Sequence, residues 1–140
     1  MQPPSTSGAH LTILSKALDA AELAELVGLK PDETWERGAK RHAAGELAGI
    51  TFRSGRADEA DPGEHLETLL ERLRPAATRI AQAAADDRVI VRLWLIHRIE
   101  NWNPGLSLSA GLIRRIDRFG TGIEIDIYVL NANEIVAHTA

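Results

Sequence analysis

The run Ile123-Glu124-Ile125-Asp126-Ile127-Tyr128-Val129 limits what this chain can fold into more than any other stretch. Strict alternation of this kind belongs to a β-strand whose two faces meet different surroundings. Ile123, Ile125, Ile127 and Val129 share one face, and Glu124, Asp126 and Tyr128 share the other. The run is rich in β-branched residues, and Gly120-Thr121-Gly122 just before it stops any preceding helix. Three isoleucines on one face call for a large apolar cover. The expectation is that Ile125 is central to the core and that the other elements act as its cover or as neighbouring strands.

A chain of 140 residues is one domain by length. It buries about 68–70% of its unfolded surface without covalent staples. It has no cysteine, which rules out disulfides, thiolate nucleophiles and cysteine-ligated metals. The opening Met1-Gln2-Pro3-Pro4-Ser5-Thr6-Ser7-Gly8 carries neither the basic nor the apolar part of a secretion signal. No apolar run reaches the ~20 residues of a membrane span, so no membrane association and a cytoplasmic location are expected. The net charge of −4 argues against nucleic acid, whose phosphates need clustered Lys and Arg.

Taken in order, residues 1–9 form a Pro/Ser/Thr/Gly-rich segment expected to be disordered, 10–131 a single α+β domain, and 132–140 a C-terminal tail. His10 to Ser15 reads as a strand. Asp19 and Glu22 form a capping box for a helix carrying Leu23, Leu26 and Val27, which Gly28 ends and Pro31 forbids from continuing. Residues 30–45 are polar, with Trp35 the one large apolar side chain among them. Glu46 to Arg53 reads as a second strand, in which Gly49 implies a bulge or a close backbone approach. After a surface loop, Asp61-Pro62 opens a helix with Leu66, Leu69, Leu70 and Leu73 as its buried stripe. Pro75 interrupts it, and a second piece carries Ile80, Ala83 and Ala84. Arg88 to Ile99 is the longest strand, with Val89, Val91, Leu93 and Leu95 on one face and Arg92, Trp94, Ile96 and Arg98 on the other. Following a turn at 101–105, Ser109 caps a helix that buries Leu112, Ile113, Ile116 and Phe119. Helices alternating with strands in this way predict an α+β, two-layer sandwich: a single mixed or antiparallel sheet of about four strands with helices on one face, ferredoxin-like or related.

Leu18-Asp19-x-x-Glu22 running to Leu26-x-Gly28-x-x-Pro31, the Leu108-Ser109-x-x-Leu112 helix, and Ile123 to Tyr128 follow one another in an order and spacing that together resemble a bacterial family, domain of unknown function 4279. The resemblance spans about Leu11 to Tyr128. The chain departs from it at Ile50-Thr51-Phe52, where the family tends to place a tryptophan. It implies the fold and a bacterial, intracellular setting, and no activity.

For chemistry the residues offer little. Glu124 and Asp126 lie roughly 6.6–7 Å apart by strand rise. They suit a general acid/base pair or half of a hard-metal site. More commonly such carboxylates pair across a sheet, here with Arg92 or Arg98. The five histidines never fall at chelating spacing, and His97, in an apolar register, reads as a hydrogen-bonded, half-buried side chain. No nucleophile elbow or P-loop occurs, and no metal or cofactor is expected. Arg37-Gly38-Ala39-Lys40-Arg41-His42 is the densest basic cluster, in a loop beside Asp32, Glu33 and Glu36; it suits an acidic partner surface or a phosphate, though a cluster among carboxylates is more commonly a solvated loop. Trp35 either caps the core edge or anchors a partner.

The residues of interest are therefore Arg92, Trp94 and Arg98 on one strand, Glu124, Asp126 and Tyr128 on another, and Trp35. If the two strands are neighbours, the first six make one mixed patch. The leading expectation is a non-enzymatic module that binds a protein partner or a second copy of itself, with a role such as immunity or an accessory function. The second reading is a single-stranded nucleic-acid binder that stacks bases on the same face. The third is a hydrolase using Glu124 and Asp126.

Overall fold

The computed structural model describes residues 7–38, 46–56, 60–100 and 106–130. The elements are β1 (Ser7–Ser15), α1 (Ala20–Val27), β2 (Glu33–Trp35), β3 (Ala48–Arg53), α2 (Pro62–Leu73), a 3-10 turn (Arg74–Ala76), α3 (Ala77–Ala84), β4 (Val89–Glu100), α4 (Ala110–Asp117) and β5 (Ile123–Leu130). The strands form one open mixed sheet in the order β2-β3-β1-β4-β5. All neighbours are antiparallel except β4 and β5, which run parallel through the α4 crossover. The fold is α+β, with the helices on one face.

The local signals act as their chemistry requires. Asp19 Oδ1 accepts from Glu22 N at 2.8 Å, and Glu22 Oε1 accepts from Asp19 N at 3.1 Å, closing the capping box of α1. Gly28 ends α1 at φ 76, a left-handed conformation that favours glycine. Pro62 opens α2, and Pro75 breaks the helical ladder into the 3-10 turn before α3. Ser109 Oγ accepts from Leu112 N at 3.1 Å at the start of α4.

The core lies between helices and sheet. Leu11 and Ile13 of β1, Ile50 and Phe52 of β3, and Leu93 and Leu95 of β4 meet Leu23, Leu66, Leu69, Leu70, Leu73 and Ile80. All of these are essentially removed from water. At about 25 cal/mol per Å² of apolar surface, this layer is the main stabilising term. His65 joins it from α2, its Nδ1 2.6 Å from Ser54 Oγ.

Among the described residues β2 completes the sheet as a fifth strand, pairing with β3 through Glu33↔Thr51 and Trp35↔Gly49, and three other expectations need correction. A three-residue strand is too short to show a period, so the polar stretch concealed it. β1 begins at Ser7, inside the segment expected to be disordered, because Ser7 to Ala9 extend the ladder with β4. Ile113 is 52% exposed, since α4 turns only Leu112 and Ile116 inward. Most important, β5 is an edge strand: Ile123 packs against the core, but Ile125, Ile127 and Val129 are 39%, 38% and 40% exposed. In the parallel register Ile123 sits beside Leu93 while Val129 sits beside Ile99, so β5 runs off toward the far end of β4. The expected terminal segment up to residue 6, the turn at 101–105 and the tail from 131 lie outside the described residues.

Candidate functional site

The sheet face opposite the helices carries the side chains of even parity in β1, β4 and β5. Register sets them in rows. Arg53, His10, Trp94 and Glu124 stand side by side across β3, β1, β4 and β5. Thr51, Thr12 and Arg92 form the next row, and Ile96 beside Asp126 and Arg98 beside Tyr128 continue along β4 and β5. Among the described residues no helix crosses this face.

The contacts within it are specific. The His10 and Trp94 rings stack with centroids 6.4 Å apart at 29°. Arg98 holds its guanidinium 5.3 Å from the Tyr128 ring centroid, within cation–π range. Arg92 Nε lies 3.8 Å from Glu124 Oε1, with both side chains about half exposed. Such a pair is worth at most about 1 kcal/mol, so it orients the groups more than it stabilises the fold. Thr12 and Thr51 join their hydroxyls at 3.2 Å in the row of Arg92. Burial first, and then the Arg53 cation, hold His10 below its ordinary pKa.

Six of the seven singled-out residues are thus brought together: Arg92, Trp94, Arg98, Glu124, Asp126 and Tyr128 share one face of two adjacent strands. Trp35 does not join them. It lies at the opposite edge, 8% exposed, over Gly49 and Leu14. A Cβ on Gly49 would come within 2.3 Å of the indole, so of the two readings of that glycine the close approach is correct. Of the expected pairings, Glu124 has Arg92, whereas Arg98 goes to Tyr128. His97 is half-buried with its Nδ1 2.8 Å from Ser7 Oγ, the hydrogen-bonded histidine its register implied. Arg37 donates to the carbonyls of Lys16 and Leu18 at 2.8 and 3.2 Å. Lys40, Arg41 and His42 of that basic cluster lie outside the described residues.

His10, Thr12, Thr51 and Arg53 extend the patch, and sequence reasoning did not assign them to it. The signal was the parity of β1, in which His10 and Thr12 alternate with Leu11 and Ile13. Among the described residues no group of three or more His, Asp and Glu is placed to hold a metal ion. On the helix side, a cleft between the start of α2 and the end of β4 is lined by Asp61, Glu64, Glu67, His97, Ile99 and Leu106.

The model of the family described as Domain of unknown function (DUF4279) matches residues 5–130. The chain belongs to the DUF4279 family. No curated protein and no solved structure matches it. In this DUF4279 chain, no described helix is long and apolar enough to cross a membrane. The matched span runs from the first strand to the end of β5, so the family's domain includes the whole of the mixed patch.

Proposed function

We propose that this DUF4279 domain is a non-enzymatic binding module of a bacterial cytoplasm that captures a protein partner on its open sheet face, in an immunity or accessory role. The observation that carries the reading is the gathering of Arg92, Trp94, Arg98, Glu124, Asp126 and Tyr128 on adjacent strands of a face that no described helix crosses. Trp94 is half-buried and braced by His10, so it meets a partner with little rotamer freedom left to lose. Tyr128, 47% exposed beneath Arg98, offers a second aromatic anchor. The Arg92–Glu124 pair lies beside Trp94, where rim charges set orientation more than affinity.

Arg92 and Arg98 stand against Glu124 and Asp126, and Arg53 has Glu33 Oε1 2.8 Å from its Nη2, so the extended patch stays formally near neutral. Phosphates therefore gain little from it, which places the single-stranded nucleic-acid reading second despite the stacked rings. The hydrolase reading stands third, because the Glu124 carboxylate already faces the Arg92 cation.

The test is affinity for a captured partner. Proteins retained from a bacterial lysate by the wild type and lost with Trp94→Ala are identified and titrated by calorimetry. Trp94→Ala is expected to stay folded and to weaken binding by more than about 1 kcal/mol, roughly five-fold in Kd. Tight single-strand binding at physiological salt that disappears in Trp94→Ala would put the second reading first. An unfolded Trp94→Ala would show the residue to be core and remove the site.

A further inference from the structure

The open face leaves one exposed feature unexplained, the outer edge of β5. This strand pairs with β4 on one side, and among the described residues no strand pairs with its other side. Along such an edge, alternate N–H and C=O groups point outward as a template for another strand. Edges are usually protected by shortness, proline, lysine or a bulge. The opposite edge, β2, has only three residues. β5 has eight, without proline, lysine or glycine, in unbroken register with β4 from Ile123 to Leu130. It also leaves Ile125, Ile127 and Val129 more than a third exposed on its helix-side face.

The central part of this strand, Ile125 to Val129, is complementary to itself when reversed. We infer that β5 pairs antiparallel with β5 of a second copy of the chain across a two-fold axis at Ile127, so that the two sheets become one continuous sheet. Residues opposite each other in a ladder share a face, so the axis must pass through a residue and not between two. At Ile127 the isoleucine meets its own copy, and Ile125 meets the copy's Val129. One apolar strip then closes on itself. On the open face, Asp126 comes opposite the copy's Tyr128, the ring that carries the Arg98 cation. A carboxylate therefore arrives beside a positive charge.

The neighbouring axes are worse. At Asp126 the two Asp126 carboxylates face each other. At Ile125, Glu124 faces the copy's Asp126. At Tyr128, two tyrosines meet, each bearing an arginine cation. Like charges directly opposite are destabilising, so among these neighbouring axes the charges favour Ile127. A C2 edge of this kind is isologous and closes after two copies.

Sedimentation from micromolar to hundred-micromolar protein is the first measurement, with a reversible dimer expected for the wild type. Ile127→Lys opposes two cations and is expected to weaken association at least ten-fold while the circular dichroism stays native. Should that variant lose its fold, Val129→Lys on the same exposed strip reads the same contact. The chain contains no cysteine, so single cysteines report the register cleanly. Ile127→Cys is expected to form a disulfide-linked dimer under mild oxidation. Glu124→Cys is expected not to, because its counterpart lies roughly 20 Å away along the strand. A wild type that stays monomeric throughout overturns the inference, as does a dimer that Ile127→Lys leaves intact. A dimer dissolved by Trp94→Ala but not by Ile127→Lys overturns it in favour of the open face. Loss of partner capture in Trp94→Ala bears only on the function proposed above.

Discussion

Gly49 and Trp35 hold one edge of the sheet by a contact neither residue makes alone. The indole lies flat enough on β3 that a Cβ at position 49 would sit 2.3 Å from the ring and 2.8 Å from Leu14. A rigid ring cannot give way as a lysine tip would. Gly49→Ala should therefore destabilise the fold by about 1–3 kcal/mol, the usual cost of overpacking, as measured by urea denaturation. A midpoint unchanged from wild type would mean that Trp35 swings away at no cost. His10 gives a second prediction at this scale. Burial and Arg53 lower its pKa from 6.5, and burial lowers that of His97 as well. The unfolded chain then binds protons that the folded chain resists, so stability is full above pH 6.5 and falls as pH drops through the lower folded values. Thermal midpoints taken from pH 7 to 5 should fall, and less steeply in His10→Gln. Equal slopes would remove His10 as a cause.

At the scale of elements, alternation and position turn out to carry separate information. The alternation in β5 separates its two faces, and the open-face residues lie where it puts them. It says nothing of how much cover either face receives. That depends on β5 standing at the edge of the sheet, which is decided by pairing far away in sequence. The core therefore centres on β1 and β4, and the cost of truncation moves with it. Leu93→Ala, at 1% exposure, should cost about 2–5 kcal/mol. Ile125→Ala, at 39%, should cost less than about 1.5 kcal/mol. Matching unfolding midpoints for the two variants would show β5 to be covered after all. In α1, where the capping box was read correctly from Asp19 and Glu22, Asp19→Ala should cost about 0.5–2 kcal/mol and leave the rest of the fold unchanged. Local hydrogen bonding of that kind is legible because both partners lie within one turn.

Over the whole molecule, what was legible follows the same line. Helix starts and stops, the leucine stripe of α2 and the two faces of β4 depend on neighbours in sequence. The α+β class follows from their order, and so does the gathering of the patch once β4 and β5 are adjacent. Strand order, the short β2 and the partner of Gly49 depend on contacts across the chain, and no local period encodes them. The central place of β1 also determines how the molecule is built in time. Its ladder with β4 joins Ser7 to His97, a separation of 90 residues. A chain being synthesised from its N-terminus thus makes its innermost strand early and leaves one side of it waiting until most of the domain has followed. Sheets closed by such distant pairings form slowly, in milliseconds to seconds. During that wait, Leu11, Ile13 and Leu14 have no second neighbour, and the growing chain is most exposed to wrong partners at the strand that will end up deepest inside it.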